Sequence, residues 1–101
     1  MIIRLVCYDI KEDACRTKIF DKLEYYGFLP LQKSVFCGKL PSHQWENSAR
    51  EIQKIIEKYG DPIKDKFLAV VISKNCAKTV FNLGRKTDIY TLLMEDNLVW
   101  I

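Results

Sequence analysis

The chain has 101 residues, 49% of them apolar, with 16 basic against 13 acidic side chains and a net charge of +3. That suffices for one compact domain and is too short for two. The longest unbroken apolar run, residues 67–72, falls far short of the ~20 needed to cross a bilayer, and no basic-then-apolar leader opens the chain, so a cytoplasmic protein without a membrane partner is expected.

Residues 2–8, IIRLVCY, are apolar apart from Arg4 and rich in branched side chains, which predicts a central, mostly buried strand. Asp9 follows directly. A carboxylate at a strand exit either bonds the amides of the next turn, here residues 10–12, or serves as a ligand for a hard metal. Mg²⁺ (or Mn²⁺) takes oxygen donors and commonly only one or two protein carboxylates plus substrate phosphate. One Asp9 is a poor site, whereas two copies across a twofold axis supply a pair. Tyr8 either packs or donates its hydroxyl to a phosphate, and Arg16 either contacts a phosphate or pairs with Glu12 or Asp13.

Asp13 is the expected cap of a first helix whose Cys15, Ile19, Leu23 and Tyr26 recur at helical spacing until Gly27 ends it. Residues 29–40 read as one bulged strand or two strands in quick succession. Ser42 is the expected cap of a second helix with an apolar stripe of Trp45, Ala49, Ile52, Ile56 and Tyr59. Gly60, through positive φ, and Pro62 end it. Arg50, Lys54 and Lys58 repeat every four residues on its other side, a solvated face or a phosphate-binding ridge. His43, the only histidine, has no nucleophile or second ligand beside it.

Residues 67–72 predict another buried strand. From residue 66 to 87 there are five basic side chains (Lys66, Lys74, Lys78, Arg85, Lys86) and no acid, whereas residues 88–101 carry three acids and no base. Residues 79–83 are a short strand or a helical turn, residues 89–94 are ambiguous, and residues 95–97 have turn chemistry. The apolar ending, residues 98–101, is expected to be tied into a sheet. The order strand, helix, split strand, helix, strand predicts an α+β, ferredoxin-like two-layer domain with both helices on one face of a mainly antiparallel sheet. The other face is then uncovered, and self-association through it is the economical solution. Cys7, Cys15, Cys37 and Cys76 form no C-x-x-C pair, which suits a reducing compartment. The four glycines are isolated, which excludes a P-loop.

In motif order, spacing and length, "LVCYDI", then Arg16 within "EDACRTKIFDKLEYYG", then "LQKSVFCGKL" resembles the small Cas-two family of CRISPR adaptation. The resemblance implies a ferredoxin-like homodimer whose C-terminal segment, residues 74–101, contributes a strand to the partner. It implies a metal-dependent endonuclease acting on RNA or duplex DNA, with Asp9 as catalytic and metal-binding residue. It also implies partnership with the Cas-one integrase in capturing foreign DNA as spacers. Tyr8, Arg16 and Ser34 fall within the matched motifs, and Phe36 is packing. Two alternatives remain: a non-catalytic scaffold holding DNA through Arg16, Arg50, Lys54, Lys58 and the stretch from Lys74 and Lys78 to Arg85 and Lys86, and a ribonuclease toxin similar to virulence-associated protein D.

Overall fold

Strand β1 (Ile2–Asp9) runs between two antiparallel neighbours, and it is the branched, apolar segment that composition marks as central. The computed structural model describes residues 2–77 and 79. Within them β1 is followed by α1 (Asp13–Tyr25), β2 (Leu29–Gln32), β3 (Val35–Leu40), α2 (Ser42–Tyr59), β4 (Lys66–Ile72) and a single helical turn, α3 (Lys74–Ala77). The sheet order is β2-β3-β1-β4, antiparallel throughout. With α1 and α2 on one face this is the ferredoxin-like arrangement.

The core lies between that face and the helices: Val6, Tyr8, Phe36 and Leu40 from the sheet meet Cys15, Ile19 and Leu23 of α1 and Ile52 of α2. Gly38 sits among them because Phe28 covers it: a Cβ there would stand 2.5 Å from Phe28 Cδ2. Phe28 is held in place by the end of α1. Gly27 takes φ +88, its amide donates to Glu24 O (2.9 Å) and the Phe28 amide donates to Leu23 O (2.9 Å), a Schellman closure. Arg4 also faces the helices, its guanidinium 4.8 Å above the Trp45 ring, with Nη1 buried and without a hydrogen-bond partner among the described residues.

Several local expectations are corrected. Asp9 is the last residue of β1, not the first beyond it. Glu12 and Pro41, not Asp13 and Ser42, occupy the helix N-caps, and neither makes a side-chain capping bond. Tyr59 drops out of the core stripe at 39% exposure, while Ser48, fully buried, joins it by donating to Trp45 O at 2.8 Å. Gly60 has φ −114, so positive φ is not its reason; a Cβ there would stand 3.0 Å from Cys15 Sγ and 2.7 Å from Asp65 Oδ2. Among the described residues β4 is an edge strand, with Leu68, Val70 and Val71 exposed, not a buried one. Readings of residues 79–83, apart from Thr79, and of residues 89–101 lie outside the described residues.

Candidate functional site

Side chains alternate across a strand, and β1 applies this at its exit. Tyr8 turns toward the helices and is buried, while Asp9 lies on the open face and is exposed. The ladder sets Asp9 opposite Lys66 of β4. On the same open face lie Leu5 and Cys7 of β1, Val35 of β3, and Leu68 and Val70 of β4, the last two 58% and 43% exposed. Ile3, Cys37 and Lys39 share that face by register and are buried, so Asp9 stands at the margin of a partly exposed apolar surface that no described helix covers.

Two other side chains fix the turn after Asp9. Arg16 Nη1 donates to Ile10 O at 2.9 Å, and Arg16 is also paired with Asp13. Asp65, brought over from the α2–β4 loop, accepts the Lys11 amide at 3.3 Å and the Asp61 amide at 2.8 Å. The structural task open to a strand-end aspartate is thus carried out by Asp65. Among the described residues Asp9 makes no hydrogen bond or ion pair, and its carboxylate remains available.

On the helix side, Tyr8, Arg16 and Ser34 border one cleft of about 370 Å³. α1 contributes Arg16, Thr17 and Phe20 to it, β2 contributes Pro30 and Gln32, and the β2–β3 turn contributes Lys33 and Ser34. Arg16 and Phe20 are one helical turn apart and so share a face. Ser34 has φ 64, in the left-handed region that a non-glycine residue occupies at a cost. Its carbonyl accepts the Tyr8 amide at 3.1 Å, which ties the turn to the end of β1. The Tyr8 ring stacks on Phe36 and Phe67, each at 6.1 Å between centroids. Burial pushes its hydroxyl pKa up, and nearby Arg16 partly offsets this.

The basic ridge belongs to a different surface. Arg50, Lys54 and Lys58 are exposed on α2, in the layer away from Asp9. A groove of about 630 Å³ between α1 and α2 joins Lys54 to Lys18 and Lys22, beside Tyr25 and Tyr59. Lys18 and Lys58 stand 4.6 and 5.2 Å from the Tyr59 ring centroid. Arg50 is bonded to Asn47. His43 is exposed. Of Lys74 only the backbone is described, and Lys78, Arg85 and Lys86 lie outside the described residues. Sequence reading passed over Phe20, Pro30, Gln32 and Lys33, and also Lys18 and Lys22. The one available signal was the helical spacing from Arg16 to Phe20.

Hard-metal coordination was tested on the donor set. Among the described residues no group of three or more acidic, histidine or cysteine side chains converges. At the end of β1 the open face of one chain offers a metal Asp9 alone among the described residues, and a pair of chains offers two carboxylates, the number Mg²⁺ commonly takes from protein. Among the described residues no helix is long and apolar enough to cross a membrane.

Comparison with known proteins agrees with this arrangement. Residues 1–80 match the family described as CRISPR associated protein Cas2. The CRISPR-associated endoribonuclease Cas2 of Aeropyrum pernix is 32% identical over 84 residues, which cover 83% of this chain and 87% of the relative. The fold matches a chain of a partial Cas6-RT-Cas1–Cas2 complex with a TM-score of 0.71, at 24% identity over 82% of this chain and 91% of that one. It also matches Cas2 of Streptococcus pyogenes with a TM-score of 0.63, at 21% identity over 81% and 99% of the two chains.

Proposed function

The chain belongs to the Cas2 family of CRISPR associated proteins, and from that premise we propose that it is a metal-dependent endonuclease of the adaptation module, cutting phosphodiester bonds in RNA or DNA through Asp9 at a homodimer interface. The observation that carries this reading is Asp9 itself: exposed, without a described partner, and at the rim of an apolar sheet face on which Leu68 and Val70 remain exposed. Packing two such faces about a twofold axis buries Leu68 and Val70 and supplies a second Asp9. The chemistry a divalent cation would supply there is a more acidic bound water and stabilisation of negative charge on the phosphoryl oxygens. The chain's own part is to hold that cation with the two Asp9 carboxylates and to draw the strand's phosphates toward Lys66, which faces Asp9 in the ladder.

Residues 74–101 contribute a strand to the partner in this reading. β4 has an unpaired edge among the described residues, and beside it runs a groove of about 490 Å³ lined by Trp45, Ile52, Ile56 and Phe67. The protein acts in the cytoplasm alongside the Cas1 integrase. A second reading, a DNA-binding scaffold for that integrase without catalysis, is favoured by the groove between α1 and α2, on the helix layer away from Asp9, where Lys18, Lys22 and Lys54 outnumber Asp21 and Glu51.

The test is cleavage of single-stranded RNA and duplex DNA by wild type and Asp9→Ala, in Mg²⁺, Mn²⁺ or EDTA, beside a binding titration. Metal-dependent cleavage that disappears in Asp9→Ala, with binding retained, supports the endonuclease. Equal cleavage by both proteins, or none by the wild type, refutes it. In the second case, tight salt-dependent binding to DNA leaves the scaffold.

A further inference from the structure

The cleft beneath the β2–β3 turn has a mixed lining that phosphate binding alone does not call for. Phe20 is 37% exposed although it already packs edge-on against Phe36, at 5.2 Å and 73°. Pro30, also exposed, lines the same cleft. An aromatic ring and a proline left in solvent beside one another form an apolar slot, and around it stand Arg16, Lys33 and the hydroxyl residues Thr17 and Ser34. At about 370 Å³ the space falls at the lower end of the ~300–1,000 Å³ typical of small-ligand sites. That is the scale of one planar heterocycle with its sugar.

We propose that this cleft is a nucleotide subsite: it takes one unpaired base of the bound strand against Phe20 and Pro30, with Lys33 on a flanking phosphate and Gln32 and Ser34 at the base edge. Three observations support it. Aromatic surface is what unstacked bases bind, and it tolerates any base because each has a π-face. The positive charge lies at the rim, where the backbone of a strand must pass, and the exposed Lys33 has no ion pair among the described residues. The Ser34 backbone is held at φ 64 by its carbonyl bond to the Tyr8 amide, so the turn keeps its side chains over the cleft without help from a ligand.

Position then connects the subsite to the chemistry. Tyr8 lines the cleft and Asp9 is the next residue, on the opposite face of the sheet. A strand that leaves a base in the cleft and passes around the end of β1 brings a neighbouring phosphate to Asp9. A paired base cannot enter the cleft without leaving its stack, at a cost of a few kcal/mol. The subsite therefore selects unpaired nucleotides, and it rests on the reading of Asp9 as the cleaving residue.

The test separates the two readings by measuring binding apart from cleavage. In EDTA, and in the Asp9→Ala background, a short oligoribonucleotide carrying one 2-aminopurine is titrated with the protein and with its Phe20→Leu and Lys33→Ala variants. Leaving the stack of its neighbours for the cleft is expected to change the emission of the fluorophore, and Phe20→Leu to weaken binding roughly tenfold. Lys33 is in an exposed turn, so Lys33→Ala folds normally; it is expected to weaken binding and to reduce the salt dependence by about one counterion. Unchanged emission on binding, or equal affinity in all three proteins, overturns the subsite even where Asp9-dependent cleavage is intact. An emission change that Phe20→Leu abolishes supports it even where the wild type cuts nothing, and in that case only the nuclease reading fails.

Discussion

Replacing Leu68 by serine tests the sheet face as a dimer interface. Leu68 is 58% exposed on the open face, in register with Cys7 of β1. Fully burying a leucine is worth about 1.5–3 kcal/mol, so covering the exposed part of this one gives about 1–1.5 kcal/mol per chain. A twofold axis counts it twice. Leu68→Ser is then expected to weaken the dimer by about 2–3 kcal/mol, roughly 30- to 150-fold in Kd. Sedimentation velocity over a dilution series reads this directly, with near-UV circular dichroism confirming that the monomer remains folded. Ile63→Ser is the control: Ile63 is 91% exposed but lies in the α2–β4 loop, away from the sheet face, and its replacement should leave the dimer constant unchanged. An unaltered constant in Leu68→Ser, or a wild type that stays monomeric at every concentration, refutes the interface and with it the pairing of two Asp9 carboxylates.

Gly38→Ala is expected to cost about 1–3 kcal/mol in urea denaturation, because the new methyl would stand 2.5 Å from the ring of fully buried Phe28, which has no room to yield; a loss below ~0.5 kcal/mol would show that the core yields. Tyr26 donates to Glu51, which also pairs with Lys22 at 3.6 Å, and these partners lower the Glu51 pKa below its ordinary value. A depressed carboxylate adds stability that is present above its unfolded pKa and is lost as pH falls through the folded one. The Tm difference between wild type and Tyr26→Phe is therefore expected at pH 7 and should shrink in acid below about pH 4; a difference that persists unchanged in acid removes the charge from the explanation. Iodoacetamide is expected to label exposed Cys76 first, while Cys37, buried and with its thiol pushed up to about 11, reacts only after unfolding. Mass spectrometry of peptides from the native protein checks that order, and early labelling of Cys37 contradicts its burial.

The fold was legible because its two strongest signals are periodic. Cys15, Ile19 and Leu23 at helical spacing are all fully buried, and the branched run through Val6 is the central strand. Details that depend on contacts from elsewhere in the chain were not. No local pattern reveals that Asp65 would satisfy the Lys11 amide 54 residues away, or that Gly60 is required by the approach of Asp65 and Cys15. Tyr59 fits the apolar period of α2 but falls at its last turn, where the helix runs past the core and the ring instead lies beneath Lys18 and Lys58. β4 reads as buried because composition reports hydrophobicity, not which neighbour supplies the cover, and its apolar side chains lie at an edge and on an open face.

The candidate site was half legible for the same reason. Asp9 stood out as a charge closing an apolar run, and Tyr8, Arg16 and Ser34 fell in the neighbouring motifs. Grouping all four at one point overlooks the pleat: consecutive residues of a strand face opposite ways. Tyr8, Arg16 and Ser34 share the cleft on the helix side, while Asp9 faces the uncovered side with Lys66. This division has a chemical consequence. A carboxylate beside Arg16, already paired with Asp13, would be drawn into the same ion-pair cluster, where the guanidinium would compete with a cation for its oxygens. Placing it one residue along, on the far face, keeps Asp9 clear of that cluster while the peptide bond between Tyr8 and Asp9 holds both halves in fixed relation. A strand of nucleic acid that engages both must therefore wrap the end of β1, which Arg16 on Ile10 and Asp65 on Lys11 tie down.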